Sequence, residues 1–109
     1  MHNIYVGWDS REDIAYQVCE HSIRRRTRSN INVIPLKQTS LREQGIYTRD
    51  IDVLASTEFT FTRFLVPHLN SFEGWAVFCD SDMLFLMDAN ELFQNLDATK
   101  AVYLSLIHI

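Results

Sequence analysis

No apolar run in the 109 residues approaches the roughly 18 that a membrane span requires. Met1-His2-Asn3 leads straight into a strand-like run, so no signal peptide is expected. Cysteine is scarce. Cys19 and Cys79 lie 60 positions apart, show no metal-ligand spacing, and read as reduced cytosolic thiols. Basic charge is in deficit, with 10 Lys+Arg against 14 Asp+Glu and a net charge of −4. That balance argues against a nucleic-acid partner, which needs a basic surface. Internal repeats and low-complexity tracts are also missing. What remains is 47% hydrophobic, with seven Phe and 22% charged residues, a composition that argues against disorder. The expectation is one domain, marginal in size for a core, in the cytoplasm.

Ile4–Val6 is a short strand signal closed by Gly7. Asp9 and Ser10 then offer helix N-caps, and Ser10 with Asp13 resembles a capping box. Ile14, Ala15, Val18, Cys19, Ser22 and Ile23 recur at helical spacing, which predicts a buried stripe. The helix closes on Arg24, Arg25, Arg26 and Arg28, cations suited to the negative end of its dipole. Ile31–Leu36 predicts a second strand, so that strand, helix and strand make a βαβ unit. Lys37–Val53 is polar and without period, and is expected as a long loop. Thr57 is placed to cap a helix from Glu58 toward Leu69, with Phe61, Phe64, Leu65 and His68 inward and Pro67 kinking or ending it. Trp75–Cys79 is the clearest buried strand, and Met83–Leu86 is a second apolar run. Asp88 with Glu91 predicts a capped short helix, and another strand starts at Ala101. The alternation predicts an α/β fold with a mostly parallel sheet.

Asp80-Ser81-Asp82 follows the Trp75–Cys79 strand directly. In extended chain, residues i and i+2 share a side, so the two carboxylates converge. A divalent cation relieves their repulsion, and hard oxygen ligands suit Mg²⁺ or Mn²⁺. The end of a buried strand is also where open α/β sheets bind ligands. The spacing alone is weak: eight Asp in this length give about 0.6 such pairs by chance. Asp50-Ile51-Asp52 is a decoy of this kind, with no apolar strand before it.

Three segments together resemble the nucleotide-binding half of a GT-A fold glycosyltransferase, nearest the family 8 type. They are Ile4-Tyr5-Val6-Gly7-Trp8-Asp9, then Ser56-Thr57-Glu58-Phe59-Thr60-Phe61-Thr62-Arg63-Phe64-Leu65-Val66-Pro67, and Ala76-Val77-Phe78-Cys79-Asp80-Ser81-Asp82-Met83-Leu84. Arg63 precedes Asp80 by 17 residues, the family's usual interval, and Asp88-Ala89-Asn90-Glu91-Leu92-Phe93 is similar to its next short helix. The resemblance implies a Rossmann-like sandwich and transfer of a sugar from a nucleotide sugar, UDP-linked by default, to an unknown acceptor hydroxyl. It implies that Asp80 and Asp82 hold Mn²⁺ or Mg²⁺ against the donor diphosphate. Gly7, Trp8, Asp9, Arg63, Asp80 and Ser81 would contact the donor. Arg63 would face its anionic oxygens, and Asp9 its base or ribose. Where the family often carries a base-stacking tyrosine, this chain has Glu12, which leaves the base open, with Trp8 as the other stacking face. The family's third metal ligand falls beyond residue 103, and His2, His21 and His68 match no such motif.

Two other readings stand beside this one. A haloacid-dehalogenase-like phosphatase also places Asp-x-Asp after a buried strand, although Met83-Leu84 departs from its usual continuation. A non-catalytic nucleotide-binding module, or an inactive fragment, is the other. The last six residues, 104–109, match the translation of a transposase end used in sequencing libraries. They are expected to be a non-native tail on a truncated donor-binding part, 1–103, and His108 carries no functional reading.

Overall fold

Three short parallel strands carry the fold. The computed structural model describes residues 2–27, 30–50, 57–94, 96, 99, 100 and 102. Strands β1 (His2–Gly7), β2 (Ile31–Leu36) and β3 (Ala76–Cys79) pair in the order β2-β1-β3. The register runs from His2↔Ile31 to Gly7↔Leu36 on one side of β1, and from Asn3↔Ala76 to Val6↔Cys79 on the other. All three strands therefore end at one edge. The expected α/β class with a parallel sheet is what the described residues form.

Strand alternation divides the core between two faces. Ile4 and Val6 point toward helix α1 (Asp13–Arg26) and pack with Tyr16, Cys19, Ile23, Val33 and Ala89. Tyr5 points the other way, against Leu36 and Val66. Because both faces are covered, Ile4, Tyr5, Val6 and Gly7 are all buried, as a central parallel strand requires.

The face of α1 differs from the sequence expectation. Ile14 and Val18 are 77% and 52% exposed, and the buried row is Tyr16, Cys19, Ser22 and Ile23. Tyr16 takes the inward place because its ring is buried while its hydroxyl reaches Glu20. Burial, then that hydrogen bond, pushes the Tyr16 hydroxyl well above its ordinary pKa. Asp9, not Ser10, caps the 3₁₀ turn Ser10–Glu12 that leads into α1, its side chain accepting from the Arg11 N–H. Ser10 and Asp13 do not form the expected box. Ser10 bonds Glu58, and the Asp13 carboxylate takes the Trp8 indole N–H.

The expected loop after β2 opens instead with helix α2 (Gln38–Glu43), which buries Leu41. Tyr47 is also buried, and its N–H donates to the Leu41 carbonyl at 3.2 Å. The expected helix from Glu58 to Leu69 is broken. A turn leads to the 3₁₀ segment Thr62–Leu65, followed by the single turn α3 (Val66–Leu69), with Pro67 near the start of α3. Proline lacks an N–H and clashes with the preceding turn, so it starts a new turn rather than ending an old one. Phe64 is 68% exposed instead of inward, and His68 is exposed too. Of the apolar run after the Asp80 turn, Phe85 packs on the core and donates its N–H to Ser22 Oγ, while Met83, Leu84 and Leu86 are exposed. Asp88 caps the 3₁₀ segment Ala89–Phe93 by accepting from the Asn90 N–H at 3.0 Å. Among the described residues no helix is long and apolar enough to cross a membrane. The strand expected from Ala101, most of the Asp50-Ile51-Asp52 decoy, and the tail 104–109 lie outside the described residues.

Candidate functional site

The chain leaves β1 for β2 on one side, then crosses back to β3 on the other. The carboxyl ends of β1 and β3 thus flank a topological switch point, the place where open α/β sheets take ligands. The sequence-predicted residues Gly7, Trp8 and Asp9 leave β1 there, and Asp80, Ser81 and Asp82 leave β3 there.

The β1 exit is closed by internal contacts. A Cβ on Gly7 would lie 2.5 Å from the Phe59 ring, so glycine is what lets that ring cover the strand end. Trp8 is half-buried, donates Nε1–H to Asp13 at 2.8 Å, and has the Lys37 ammonium 4.8 Å from its ring centroid. Asp9 is only 2% exposed. Its carboxylate accepts from the Arg11 N–H (2.9 Å), Nε (2.9 Å) and Nη2 (2.7 Å), and from the Glu58 N–H (3.1 Å). The Arg11 side chain holds the Asp9 carboxyl well below the usual carboxylate range. Burial opposes this and the two backbone N–H bonds reinforce it. Asp9 therefore joins the start of the α1 segment to residue 58 across 49 positions of sequence. The Asp13 carboxyl is also held low, first by the Trp8 indole and then by Gln17.

The β3 exit is different. Asp80 and Asp82 are exposed, and Ser81 between them is 2% exposed. The segment is a turn beyond the end of β3 rather than the extended chain expected, with both carboxylates exposed and the serine buried. No ion pair ties either carboxylate among the described residues. Nor do three or more His, Cys, Asp or Glu side chains converge there or elsewhere among the described residues. Two exposed carboxylates suit a hard cation that draws its remaining oxygens from substrate phosphates and water, the usual arrangement for Mg²⁺. Cys79, which ends β3, packs against the apolar cluster that contains Cys19. The neighbouring Cys19 thiol, then burial, then the charges of Asp80 and Asp82 push the Cys79 thiol far up.

Arg63 is exposed in the Thr62–Leu65 segment, its guanidinium 5.1 Å from the Phe64 ring centroid. No ion pair links it to Asp80 or Asp82 among the described residues. Sequence reasoning missed Arg11, Lys37, Glu58 and Phe59. The first residue after a parallel strand always falls at the carboxyl edge, so Lys37 was legible once β2 was placed. The contacts of Glu58 and Phe59 with β1 span about half the chain and left no local signal.

No protein-family model matches the chain, and no solved structure matches it. The chain is similar to Protein CDI of Arabidopsis thaliana, at 48% identity over 99 residues. The match takes in 91% of this chain and spans 38% of the length of that relative.

Proposed function

We propose that the chain is the donor-binding part of a metal-dependent glycosyltransferase of the GT-A type, taking a nucleoside diphosphate sugar. The observation that carries this reading is the exposed pair Asp80 and Asp82 around the buried Ser81, at the carboxyl end of β3 beside the switch point. The resemblance of three segments to that family supports it. Because the match spans 38% of the relative, sugar transfer is proposed for a whole protein and nucleotide binding for this chain.

In this reading the Asp80 and Asp82 carboxylates would hold Mn²⁺ or Mg²⁺. The cation, when bound, supplies charge neutralisation for the departing nucleoside diphosphate. An acceptor hydroxyl attacks the anomeric carbon and gives up its proton to solvent, the bond from that carbon to the diphosphate oxygen breaks, and the electron pair leaves with the diphosphate. Ser81, anchored inside, fixes the turn that presents both carboxylates. Arg63 and Lys37 supply cationic groups for anionic oxygens. Asp9 acts one step back, by holding the β1 exit and residue 58 together.

Calorimetric titration of the chain with UDP, with and without Mn²⁺, tests the reading. UDP binding that needs Mn²⁺ and is lost in Asp82→Asn is expected. Binding unchanged by that substitution refutes the ligand assignment. Hydrolysis of an aryl phosphate by the chain with Mg²⁺ would favour the phosphatase reading instead.

A further inference from the structure

We infer that Ser22, on the inward row of α1, is a positioning residue for the carboxylate pair at the β3 exit. The inference rests on the reading of Asp80 and Asp82 as cation ligands. Ser22 shares its row with Tyr16, Cys19 and Ile23. A serine inside a helix competes with the backbone for hydrogen bonds, and a buried hydroxyl needs partners. Ser22 is 2% exposed. Its hydroxyl donates to the Cys19 carbonyl at 2.7 Å, and its oxygen accepts the Phe85 N–H at 2.9 Å. One hydroxyl can make both bonds at once, because it has a single proton to give and lone pairs to accept with. The first bond is local and holds the Ser22 Oγ against the helix. The second crosses 63 positions of sequence to a stretch that is neither helix nor strand.

That stretch begins with the carboxylates. It leaves the sheet after Cys79 and forms no helix or strand until Ala89. Two contacts fix residues 80–85 at their ends. The register of β1 and β3, whose last pair is Val6↔Cys79, sets where the chain leaves the sheet. The Ser22 bond sets where it returns, and Phe85 packs there on the cluster of Ile4, Val6, Tyr16, Cys19 and Ile23. Between the two ends Ser81 is buried, while Asp80 and Asp82 are exposed. Met83 and Leu84 are exposed as well, so they add little packing of their own to hold the turn. A turn fixed at both ends loses less conformational freedom when a cation binds, which favours binding. Removing the Ser22 hydroxyl takes the acceptor from the Phe85 N–H and frees the return end.

The test pairs amide hydrogen exchange with a Mn²⁺ titration in the presence of UDP, followed by electron paramagnetic resonance. It compares the full chain with Ser22→Ala, Ser22→Thr and Asp82→Asn. Alanine is the best helix former, so α1 should persist in Ser22→Ala. That variant should bind Mn²⁺ about threefold or more weakly, a smaller loss than for a direct partner of a ligand because Ser22 acts through residues 83–85. Its Phe85 amide should exchange about tenfold faster. Ser22→Thr keeps the acceptor oxygen and should recover Mn²⁺ binding relative to Ser22→Ala. A purely structural serine would lower the melting temperature of Ser22→Ala and leave Mn²⁺ binding by the folded chain unchanged, and that result overturns the proposal. Rapid exchange of the Phe85 amide in the unsubstituted chain also overturns it, and this measurement needs no variant. Failure of the underlying reading looks different, because Asp82→Asn would then bind Mn²⁺ as the unsubstituted chain does. Weakening by Asp82→Asn without weakening by Ser22→Ala removes the role of Ser22 and leaves the ligand assignment standing.

Discussion

Two acidic turns lie at the same edge of the same sheet, yet they are built in opposite ways. Asp9, after β1, is buried and accepts from both the main chain and the side chain of Arg11 and from the main chain of Glu58. Asp80 and Asp82, after β3, face solvent, and no ion pair engages them among the described residues. A carboxylate whose oxygens are already taken by the protein holds structure. One whose lone pairs face solvent beside a buried anchor has them to offer to a cation. Position at a strand end does not distinguish these two turns, whereas hydrogen-bond occupancy does.

The contrast is sharpest in stability. Asp9→Ala leaves the Arg11 and Glu58 N–H groups without their acceptor and should cost roughly 2–3 kcal/mol in a urea melt. A cost near zero would mean that the Asp9 oxygens are available to a ligand after all. Gly7→Ala drives a Cβ into the Phe59 ring and should cost about 1–3 kcal/mol. Adding Phe59→Leu should recover part of that loss, and strict additivity of the two would show that the ring does not rest on the glycine. Acid comes next. The Asp9 carboxyl has a lower pKa folded than unfolded, so its contribution is complete above the unfolded value of about 4 and declines as pH falls below it. A melt series from pH 6 to 2 should show that loss, and Asp9→Asn should flatten it. Asp82→Asn should change stability by less than about 0.5 kcal/mol, because the side chain is exposed. A larger loss would place Asp82 in the same structural class as Asp9.

The two exits were not equally legible. Each of the three strands was readable as a dense apolar run, and β2 falls on the predicted residues because Asn30 and Lys37 bracket it. The place of Asp80-Ser81-Asp82 directly after β3 was legible from the apolar run that precedes it, although the segment is a turn and not the extended chain the strand period suggested. The role of Asp9 was not, because half of it depends on Glu58, far away in sequence. The stripe on α1 was misread because hydrophobicity favours Ile14 and Val18 over Tyr16. Burial is decided by which row meets Ile4 and Val6, and there a tyrosine keeps its hydroxyl bonded while burying its ring. Met83, Leu84 and Leu86 form an apolar run with most of its surface in water, a case where composition does not report burial. The break between Phe61 and Val66 was signalled by Pro67, but its side of the break was not.

The most direct test of the division between the two turns is a Mn²⁺ titration followed by electron paramagnetic resonance in the presence of UDP. It would compare the unsubstituted chain with Asp82→Asn and with Asp50→Asn, a substitution at an exposed carboxylate of the decoy pair. If Asp80 and Asp82 are the cation ligands, Asp82→Asn weakens Mn²⁺ binding by about tenfold or more, and Asp50→Asn leaves it unchanged. Equal binding by all three would contradict the assignment and return Asp80-Ser81-Asp82 to an ordinary turn at the end of a strand.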